Sequence, residues 1–290
     1  MSEKRLLDVY AAGSQHMVGD GFPVRNIFPS HDLTEEMSPF LLLDYAGPAE
    51  FGPTDRPRGV GEHPHRGFET VTIVYQGKVA HRDSAGNAGV IGPGDVQWMT
   101  AASGVVHEEL HEQAFAQQGG TIEMIQLWVN LPKALKMRAP RYQTILDGDI
   151  PQVAIGEDGW LRVIAGEYQG SKGPALTFTP VHLYDVQLPQ GRQVDLVLVD
   201  GHNAGVFVLS GVVAVNRERE VGEAELSVHA PQGTQIHLTA QQDSRLLILS
   251  GEPIRDPVAR MGPFVMNTQE ELVQAVSDYR AGKMGHLVDQ

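Results

Sequence analysis

The stretch His63-Pro64-His65-Arg66-Gly67-Phe68-Glu69-Thr70-Val71 decides how the rest of the sequence is interpreted. In an extended segment, residues i and i+2 point to the same face, so His63 and His65 can present two imidazoles to one point. Pro64 fixes its own φ and biases His63 towards extended geometry, which stiffens the pair. The pattern predicts a strand with two potential metal ligands on one face, followed by a carboxylate at Glu69.

A second pair of potential ligands lies about forty residues further along the chain, where His107-Glu108-Glu109 follows two valines. On a strand, His107 and Glu109 share a face. If the two pairs lie on neighbouring strands, three imidazoles and one carboxylate surround a single cation. Such a set suits a first-row divalent metal, that is Fe(II), Mn, Ni, Cu or Zn. It would leave one or two coordination positions for substrate, water or dioxygen.

A competing interpretation is that residues 107–111 form the zinc-protease motif H-E-x-x-H, which requires a helix. The preceding segment, Ala102-Ser103-Gly104-Val105-Val106, favours helix poorly because it combines a glycine with two β-branched residues. The strand interpretation is therefore preferred. Glu69 stays open as a ligand, as a partner that orients a histidine, or as a surface charge.

The remaining histidines are not expected to bind metal. His81-Arg82-Asp83 has a ligand-like period, but it follows Gly77 and is predicted to lead out of a hairpin. The others stand apart from further ligand types and are interpreted as ordinary surface or hydrogen-bonded side chains: His16, His31, His182, His202, His229, His237 and His286.

Most of the 290-residue chain has the pattern of short strands, which favours a sandwich or barrel over alternating strands and helices. Glycine and proline are frequent, as expected for many tight turns. The predicted strands are Val71–Tyr75, Val96–Met99, Ile122–Val129, Leu161–Ala165, Leu196–Val199, Val206–Leu209, Val212–Val215, Gln235–Leu238 and Leu246–Leu249.

One helix and one repeat complete the sequence pattern. Thr268 and Glu271 have capping-box spacing, and Gly282 is a plausible stop after a helical stripe of Leu272, Val276 and Tyr279. Residues 74–80 resemble residues 208–214, an offset of 134 residues from Val74 to Val208. This similarity leaves duplication and chance both open, and the proline-containing region 130–160 is the natural connection between the halves.

Composition excludes several classes of protein. The chain has no cysteine, so disulfides, thiolate metal sites and cysteine nucleophiles are excluded. The formal charge of −14 argues against direct binding to nucleic acid or to an anionic membrane, but not against a cation or a protein partner. No apolar run approaches the roughly 18 residues of a membrane span, and no signal-peptide core is expected. The expected location is the cytoplasm, or also the nucleus in a eukaryote.

Three groups of motifs, taken together, resemble the pirin family of cupins, and the resemblance covers nearly the whole chain. The first group is residues 63–71, residues 93–101 and residues 104–109; the second is residues 251–254 and 262–268 with the final helix; the third is the early stretch Phe40-Leu41-Leu42-Leu43-Asp44. The resemblance implies an all-β bicupin, with two facing antiparallel β-barrels (double-stranded β-helices) and a short C-terminal helix. We place the domains at residues 1–135 and 136–290.

The resemblance also implies one metal, in the first barrel only and usually iron, bound by His63, His65, His107 and Glu109. Glu69 matches a glutamate that binds metal in many other cupins but is not among the four pirin ligands. At the 134-residue offset, His63 and His65 correspond to Val197 and Val199, which cannot bind metal. The second barrel is therefore predicted to be structural or to contact partners.

Two functions follow from the resemblance. The first is a quercetin 2,3-dioxygenase, an oxidoreductase that cleaves a flavonol with O2, with Glu109 as the candidate base and Glu69 or bound hydroxide as alternatives. The second is a non-enzymatic iron or redox sensor that acts through a regulatory protein partner. The preferred interpretation is the enzyme, with a small aromatic substrate and no nucleic-acid or membrane partner.

Overall fold

A computed structural model describes residues 2–287, and most of them are in β-strands. No helix in this range is both long enough and apolar enough to cross a membrane. The strands of the first half are β1 (Leu6–Ala11), β2 (His16–Val18), β3 (Phe22–Phe28), β4 (Phe40–Phe51), β5 (Gly59–His65), β6 (Phe68–Gln76), β7 (Val79–Asp83), β8 (Ala88–Ile91), β9 (Val96–Thr100), β10 (Val105–His111), β11 (Gly120–Asn130) and β12 (Arg141–Ile145).

The second half contains fourteen further strands. They are β13 (Gln152–Ile155), β14 (Gly159–Ala165), β15 (Glu167–Tyr168), β16 (Ser171–Lys172), β17 (Val181–Leu188), β18 (Gln193–Val197), β19 (Asn203–Ser210), β20 (Val212–Val215), β21 (Arg219–Gly222), β22 (Glu225–His229), β23 (Gln235–Ala240), β24 (Ser244–Gly251), β25 (Ala259–Met261) and β26 (Phe264–Met266). The helices are α1 (Gln113–Gln118) and α2 (Gln269–Arg280). Every predicted strand overlaps an observed one; the largest difference is at Leu196–Val199, where the strand ends at Val197.

Two barrels form, each from one seven-stranded and one four-stranded sheet. In the first barrel the orders are β12-β9-β6-β11-β4-β3-β2 and β5-β10-β7-β8. Part of its interior is a cluster of buried apolar side chains from both sheets, among them Phe22, Val74, Val79 and Met124. Burial of this surface stabilises the closed barrel at roughly 25 cal/mol per Å².

The second barrel repeats this architecture. Its sheets have the orders β1-β22-β19-β24-β17-β14-β13 and β18-β23-β20-β21. Apart from the outermost strand of the large sheet, the successive strands follow the same order along the chain as in the first barrel. Gly77 and Gly211, which stand at the repeated corners, both have positive φ, +81° and +86°. The structure therefore favours duplication over chance for the sequence repeat.

The N-terminal segment belongs to the same compact unit as the second barrel, and the C-terminal segment belongs to the same unit as the first barrel. One unit comprises residues 1–14, 26–41 and 148–253, and the other comprises residues 15–25, 42–147 and 254–290. The predicted division into two continuous segments, 1–135 and 136–290, differs from this partition. The physical reason is that β1 pairs with β22 and thereby belongs to the second barrel. The predicted C-terminal helix belongs to the first barrel instead of the second.

Helix α2 begins at the predicted capping box, but the residues that it buries differ in part from the predicted stripe. Thr268 and Glu271 form the complete capping box. Leu272 and Ala275 are fully buried, in one cluster with Val106 from the first barrel, whereas Tyr279 is exposed. The stripe packed against the barrel therefore keeps Leu272 and Val276 from the predicted one, adds Ala275 and leaves out Tyr279.

A buried ion pair attaches α2 to the segment that follows His65. The Arg66 guanidinium donates to the Asp278 carboxylate at 2.9 Å and, through Nε, to the Ser103 carbonyl at 2.7 Å. The same carboxylate also accepts from Gln274 and Lys283. These hydrogen bonds lower the pKa of Asp278. The helix thus supplies the counter-charge for an arginine buried beside the histidine pair.

We expect Asp278→Asn to lower the free energy of unfolding by about 3 kcal/mol, because it leaves the Arg66 charge buried without its partner. Lys283→Ala removes a cation from the same carboxylate, but the Lys283 side chain is 64% exposed. We expect that control to change stability by less than about 0.5 kcal/mol. Denaturant titration of both variants measures the difference, and equal losses would contradict the role assigned to the buried pair.

Candidate metal centre

The strand pairing places the two predicted ligand pairs on neighbouring strands; His107 groups with His63 and His65, whereas Glu109 groups with His107 and His81. β5 and β10 are antiparallel neighbours, and His63 lies opposite His107 in the ladder. The register shifts between His107 and Glu109, which indicates a β-bulge at the candidate site. His63, Pro64 and His65 are all extended within β5, so the alternation of side chains inferred from sequence applies.

The three imidazoles form a compact group. Ring centroids are 4.3 Å apart for His63 and His107, 4.8 Å for His63 and His65, and 4.9 Å for His65 and His107. Each ring has one nitrogen occupied: Nδ1 of His63 pairs with the Gly61 carbonyl at 2.7 Å, and Nδ1 of His65 with the Pro263 carbonyl at 3.3 Å. These contacts fix the ring orientations from behind, which is how metal-binding histidines are usually held.

The buried Nε2 atoms of His65 and His107 have no hydrogen-bond partner among residues 2–287. An unpaired polar atom inside a protein costs free energy, so such atoms call for a ligand. One ligand atom each from His63, His65 and His107 lie within 4.8 Å of one another. This donor set fits a divalent transition metal.

Burial keeps the imidazoles in the form that binds metal. It lowers the pKa of His65 to about 3, with a further contribution from the neighbouring His63. It also lowers the pKa of His107 well below the ordinary value, with contributions from the other rings. Both side chains are therefore neutral near pH 7, and their lone pairs are not occupied by protons.

Three side-chain donors hold the carboxylate of Glu109. Thr72 Oγ1 and Gln97 Nε2 donate to Oε1 at 3.0 and 2.9 Å. Gln126 Nε2 donates to Oε2 at 2.8 Å. Both lone pairs of Oε1 are thereby used, whereas Oε2 retains the capacity to accept a proton or bind a cation.

An apolar cavity of about 270 Å³ opens beside this group. Its wall includes His63, His65 and Glu109, together with Gln126 and Asp44. The remaining lining is mainly apolar and contains Phe22, Val24, Leu42, Val60, Met124 and Trp128. An apolar cavity with a few convergent polar groups is typical of a small-molecule site.

Two sequence alternatives do not match the structure. Residues 105–111 form strand β10, so the helix required by the H-E-x-x-H motif is absent from this segment, and His111 pairs instead with the Gly21 carbonyl at 2.9 Å. Glu69 accepts from Thr100 Oγ1 at 2.6 Å. It lies an odd number of residues from Thr72, hence on the opposite face of β6 from the side chain that contacts Glu109. Burial raises the pKa of Glu69 to about 7.

Sequence reasoning missed the polar residues behind the ligands. His81 follows the Gly77 corner as predicted; it lies in β7, opposite Glu109 in the ladder, with its Nδ1 3.3 Å from Nδ1 of His107. Thr72, Gln97 and Gln126 were not singled out at all. The only signal in the sequence was the i, i+2 spacing of His81 and Asp83 on a segment that could extend the strand after Gly77.

The second barrel carries aliphatic residues at the corresponding positions. Glu109 pairs with His81 in the first barrel. His81 corresponds at the 134-residue offset to Val215, which pairs with Leu238. By the same registers, Thr72 and Gln126 correspond to Val206 and Ile248. Leu238, Val206 and Ile248 all belong to the buried apolar core of that barrel.

Two β-barrels of repeated strand order, one of which has histidines and a glutamate at its interior, define a bicupin. Comparison with known proteins is consistent with this class. The family Pirin matches residues 21–129, and the Pirin C-terminal cupin domain matches residues 183–285. The chain belongs to the pirin family, so the resemblance recognised in the sequence is confirmed.

Individual relatives extend over almost the whole chain. A Pseudomonas aeruginosa protein named "Putative quercetin 2,3-dioxygenase" is 54% identical, covering 97% of this chain and 98% of its own. Mouse pirin is 35% identical, covering 98% and 96%. The crystal structure of quercetin 2,3-dioxygenase from Acinetobacter baumannii is 48% identical with a TM-score of 0.96, covering 99% of this chain and 100% of its own.

The difference between the barrels predicts at most one tightly held transition ion per chain, because the second barrel offers aliphatic side chains where the first has ligands. Elemental analysis after metal loading and gel filtration measures the ratio. A second tightly held ion that persists after changes at residues 63, 65, 107 and 109 would contradict the prediction.

Proposed function

We propose that the chain is a metal-dependent dioxygenase that binds one divalent ion through His63, His65, His107 and Glu109 and cleaves a flavonol such as quercetin with O2. The observation that carries the proposal is that two buried imidazole nitrogens, Nε2 of His65 and of His107, have no partner in the described part of the chain and that His65 lines an apolar cavity. The names of the relatives above support the same reaction class. Iron is the first metal to test, followed by Mn, Ni, Cu and Zn.

The cavity is suited to a flat aromatic molecule. Trp128 and Phe22 provide aromatic surface in its wall. Trp128 also packs against Phe68, with ring centroids 4.2 Å apart, and Phe68 lies 5.1 Å from the ring of His65. This aromatic cluster is continuous with one candidate ligand, so a bound flavonol would be oriented by ring contacts.

Glu109 is the proposed base for the 3-hydroxyl proton of the flavonol. Within the described residues its Oε2 atom accepts only the hydrogen bond from Gln126, which leaves one acceptor position; that position would take the proton in exchange for its contact with the ion. A bound metal would lower the pKa of that hydroxyl and polarise the adjacent carbonyl. The donors on Oε1 hold the carboxylate in place during the transfer, which favours reaction by limiting reorganisation.

For the metal site, we expect His63→Ala and His107→Ala each to remove most of the bound ion from a protein that stays folded, because the apolar cores do not depend on it. His111→Phe is the matched control: His111 is buried in the same strand, but it lies among Phe22, Phe51 and Phe115. Mass spectrometry measures the metal content of the three variants. Full metal occupancy in both alanine variants would show that His63 and His107 are not the ligands.

For the reaction, we expect the iron-loaded protein to consume O2 with quercetin and to release carbon monoxide. Glu109→Gln should keep the flavonol bound and lower the rate roughly 10²–10⁴-fold, the usual contribution of a general base. Glu69→Gln changes a buried carboxylate on the other strand face and should keep the rate. Oxygen-electrode assays at matched metal content separate the two. Loss in Glu69→Gln alone would move the base to Glu69.

The same oxygen-uptake assay can also favour the alternative function, a non-enzymatic regulator. If no flavonol supports O2 uptake above the background of free metal, the enzymatic proposal is wrong. The same site would then be tested as a metal or redox sensor by metal-dependent capture of a partner protein.

A further inference from the structure

A line of polar contacts runs from His107 away from the cavity. Nδ1 of His107 lies 3.3 Å from Nδ1 of His81, and Nε2 of His81 lies 3.3 Å from Oδ2 of Asp83. His81 and Asp83 are almost completely buried, and their side chains share one face of β7. Neither residue belongs to the proposed ligand set.

The line ends at the carboxylate of Asp83, which only accepts hydrogen bonds. Oδ1 of Asp83 accepts from the backbone N–H groups of Ala85 and Asn87, at 2.9 and 3.0 Å. The side-chain amide of Asn87 donates to both carboxylate oxygens, at 3.1 and 2.9 Å. With N–H groups directed at it from several sides, the Asp83 carboxylate is an ionised acceptor.

The proton positions along the line follow from this end. Because Asp83 accepts, Nε2 of His81 carries the proton and donates it. The contact between the two Nδ1 atoms needs one donor and one acceptor; with the His81 proton on Nε2, Nδ1 of His81 accepts from Nδ1–H of His107. His107 is then left with its lone pair on Nε2, the buried atom without a partner on the ligand side.

The His81 ring is also fixed in orientation. Tyr142 stacks on it at 4.7 Å between centroids, with 15° between the planes. The Tyr142 hydroxyl donates to Oε1 of Gln97 at 3.2 Å, and Gln97 donates to Glu109. Tyr142 thus connects the contacts behind His107 with the contacts behind Glu109.

We propose that Asp83 and His81 are positioning residues that fix the tautomer of His107 and thereby direct its Nε2 lone pair towards the metal. The proposal rests on the metal site described under the proposed function, and it does not depend on the flavonol or on catalysis. A metal–histidine–carboxylate arrangement is common in metalloproteins; here a second histidine is inserted between the ligand and the carboxylate.

The second barrel provides an internal comparison. At the 134-residue offset, His81 and Asp83 correspond to Val215 and Arg217. Val215 is buried in the apolar core. The pair is therefore absent from the barrel in which the counterparts of His63 and His65 are valines, as expected if the pair serves the ligands rather than the barrel fold.

The tautomer can be read in metal-free protein by ¹⁵N-detected NMR of the histidine rings. Wild-type protein should show His107 protonated at Nδ1. In Asp83→Asn the Oδ2 acceptor becomes an amide donor, so His81 must accept through Nε2 and donate through Nδ1, which moves the His107 proton to Nε2. The control is Asp195→Asn, in the other barrel, where Asp195 pairs with His237 at 2.6 Å. An unchanged His107 tautomer in Asp83→Asn would overturn the proposal.

Binding of Co(II), measured by calorimetry and by the visible absorption of the bound ion, provides the second readout. His81→Leu should weaken binding roughly 10–100-fold, the usual effect of removing the partner of a ligand histidine. His81→Asn places an acceptor near the former Nδ1 and should restore most of the affinity. His237→Leu, which breaks the control pair, should bind as wild type does.

The outcomes separate this proposal from its alternatives. His81, His107 and Glu109 also bring ligand atoms within 4.8 Å of one another. If His81 were itself a ligand, His81→Asn would change the absorption spectrum as strongly as His81→Leu, and the proposal would be wrong. Wild-type affinity in His81→Leu would likewise overturn it. If wild-type protein bound no Co(II), the metal site itself would fail, whereas the tautomer measurement would still test the Asp83–His81–His107 contacts.

Discussion

The constraint on which this structure depends is the cost of burying polar nitrogen and oxygen atoms inside a barrel of apolar side chains. An unpaired buried donor or acceptor costs about 1–3 kcal/mol, so the surrounding strands must supply partners. They do so selectively around the metal centre. The carboxylate of Glu109 accepts from three side chains, and Nδ1 of each ligand histidine has a partner. The Nε2 atoms of His65 and His107 are left for a cation.

This selectivity separates the two barrels. Both have the same strand order, so topology alone does not create the site. In one barrel the positions around Glu109 are polar and mutually hydrogen-bonded; in the other the corresponding positions are valine, isoleucine and leucine. A well-packed apolar interior stabilises a barrel without the risk of unsatisfied groups. The repeated architecture thus combines one barrel that has a costly polar group in its interior with one that has aliphatic side chains at the corresponding positions.

The sequence predicted which candidate ligands share a strand face, because that geometry is local. His63 and His65 are two residues apart, as are His107 and Glu109, and strand alternation alone puts each pair on one face. What supports them could not be predicted, because it depends on register between distant strands. Gln126 lies beside Glu109 only through the pairing of β11 with β6. The packing of α2 on the first barrel could not be predicted either, because its ion pair with Arg66 joins residues 212 positions apart.

The attachment of the last residues to the first barrel also determines when the protein can finish assembling. At typical rates of synthesis, Asp278 leaves the ribosome roughly ten seconds after β12. During that interval Arg66 lacks its counter-charge, His65 lacks the Pro263 carbonyl, and the apolar patch at Val106 lacks its helix. The first barrel to be translated is thus the last to be complete.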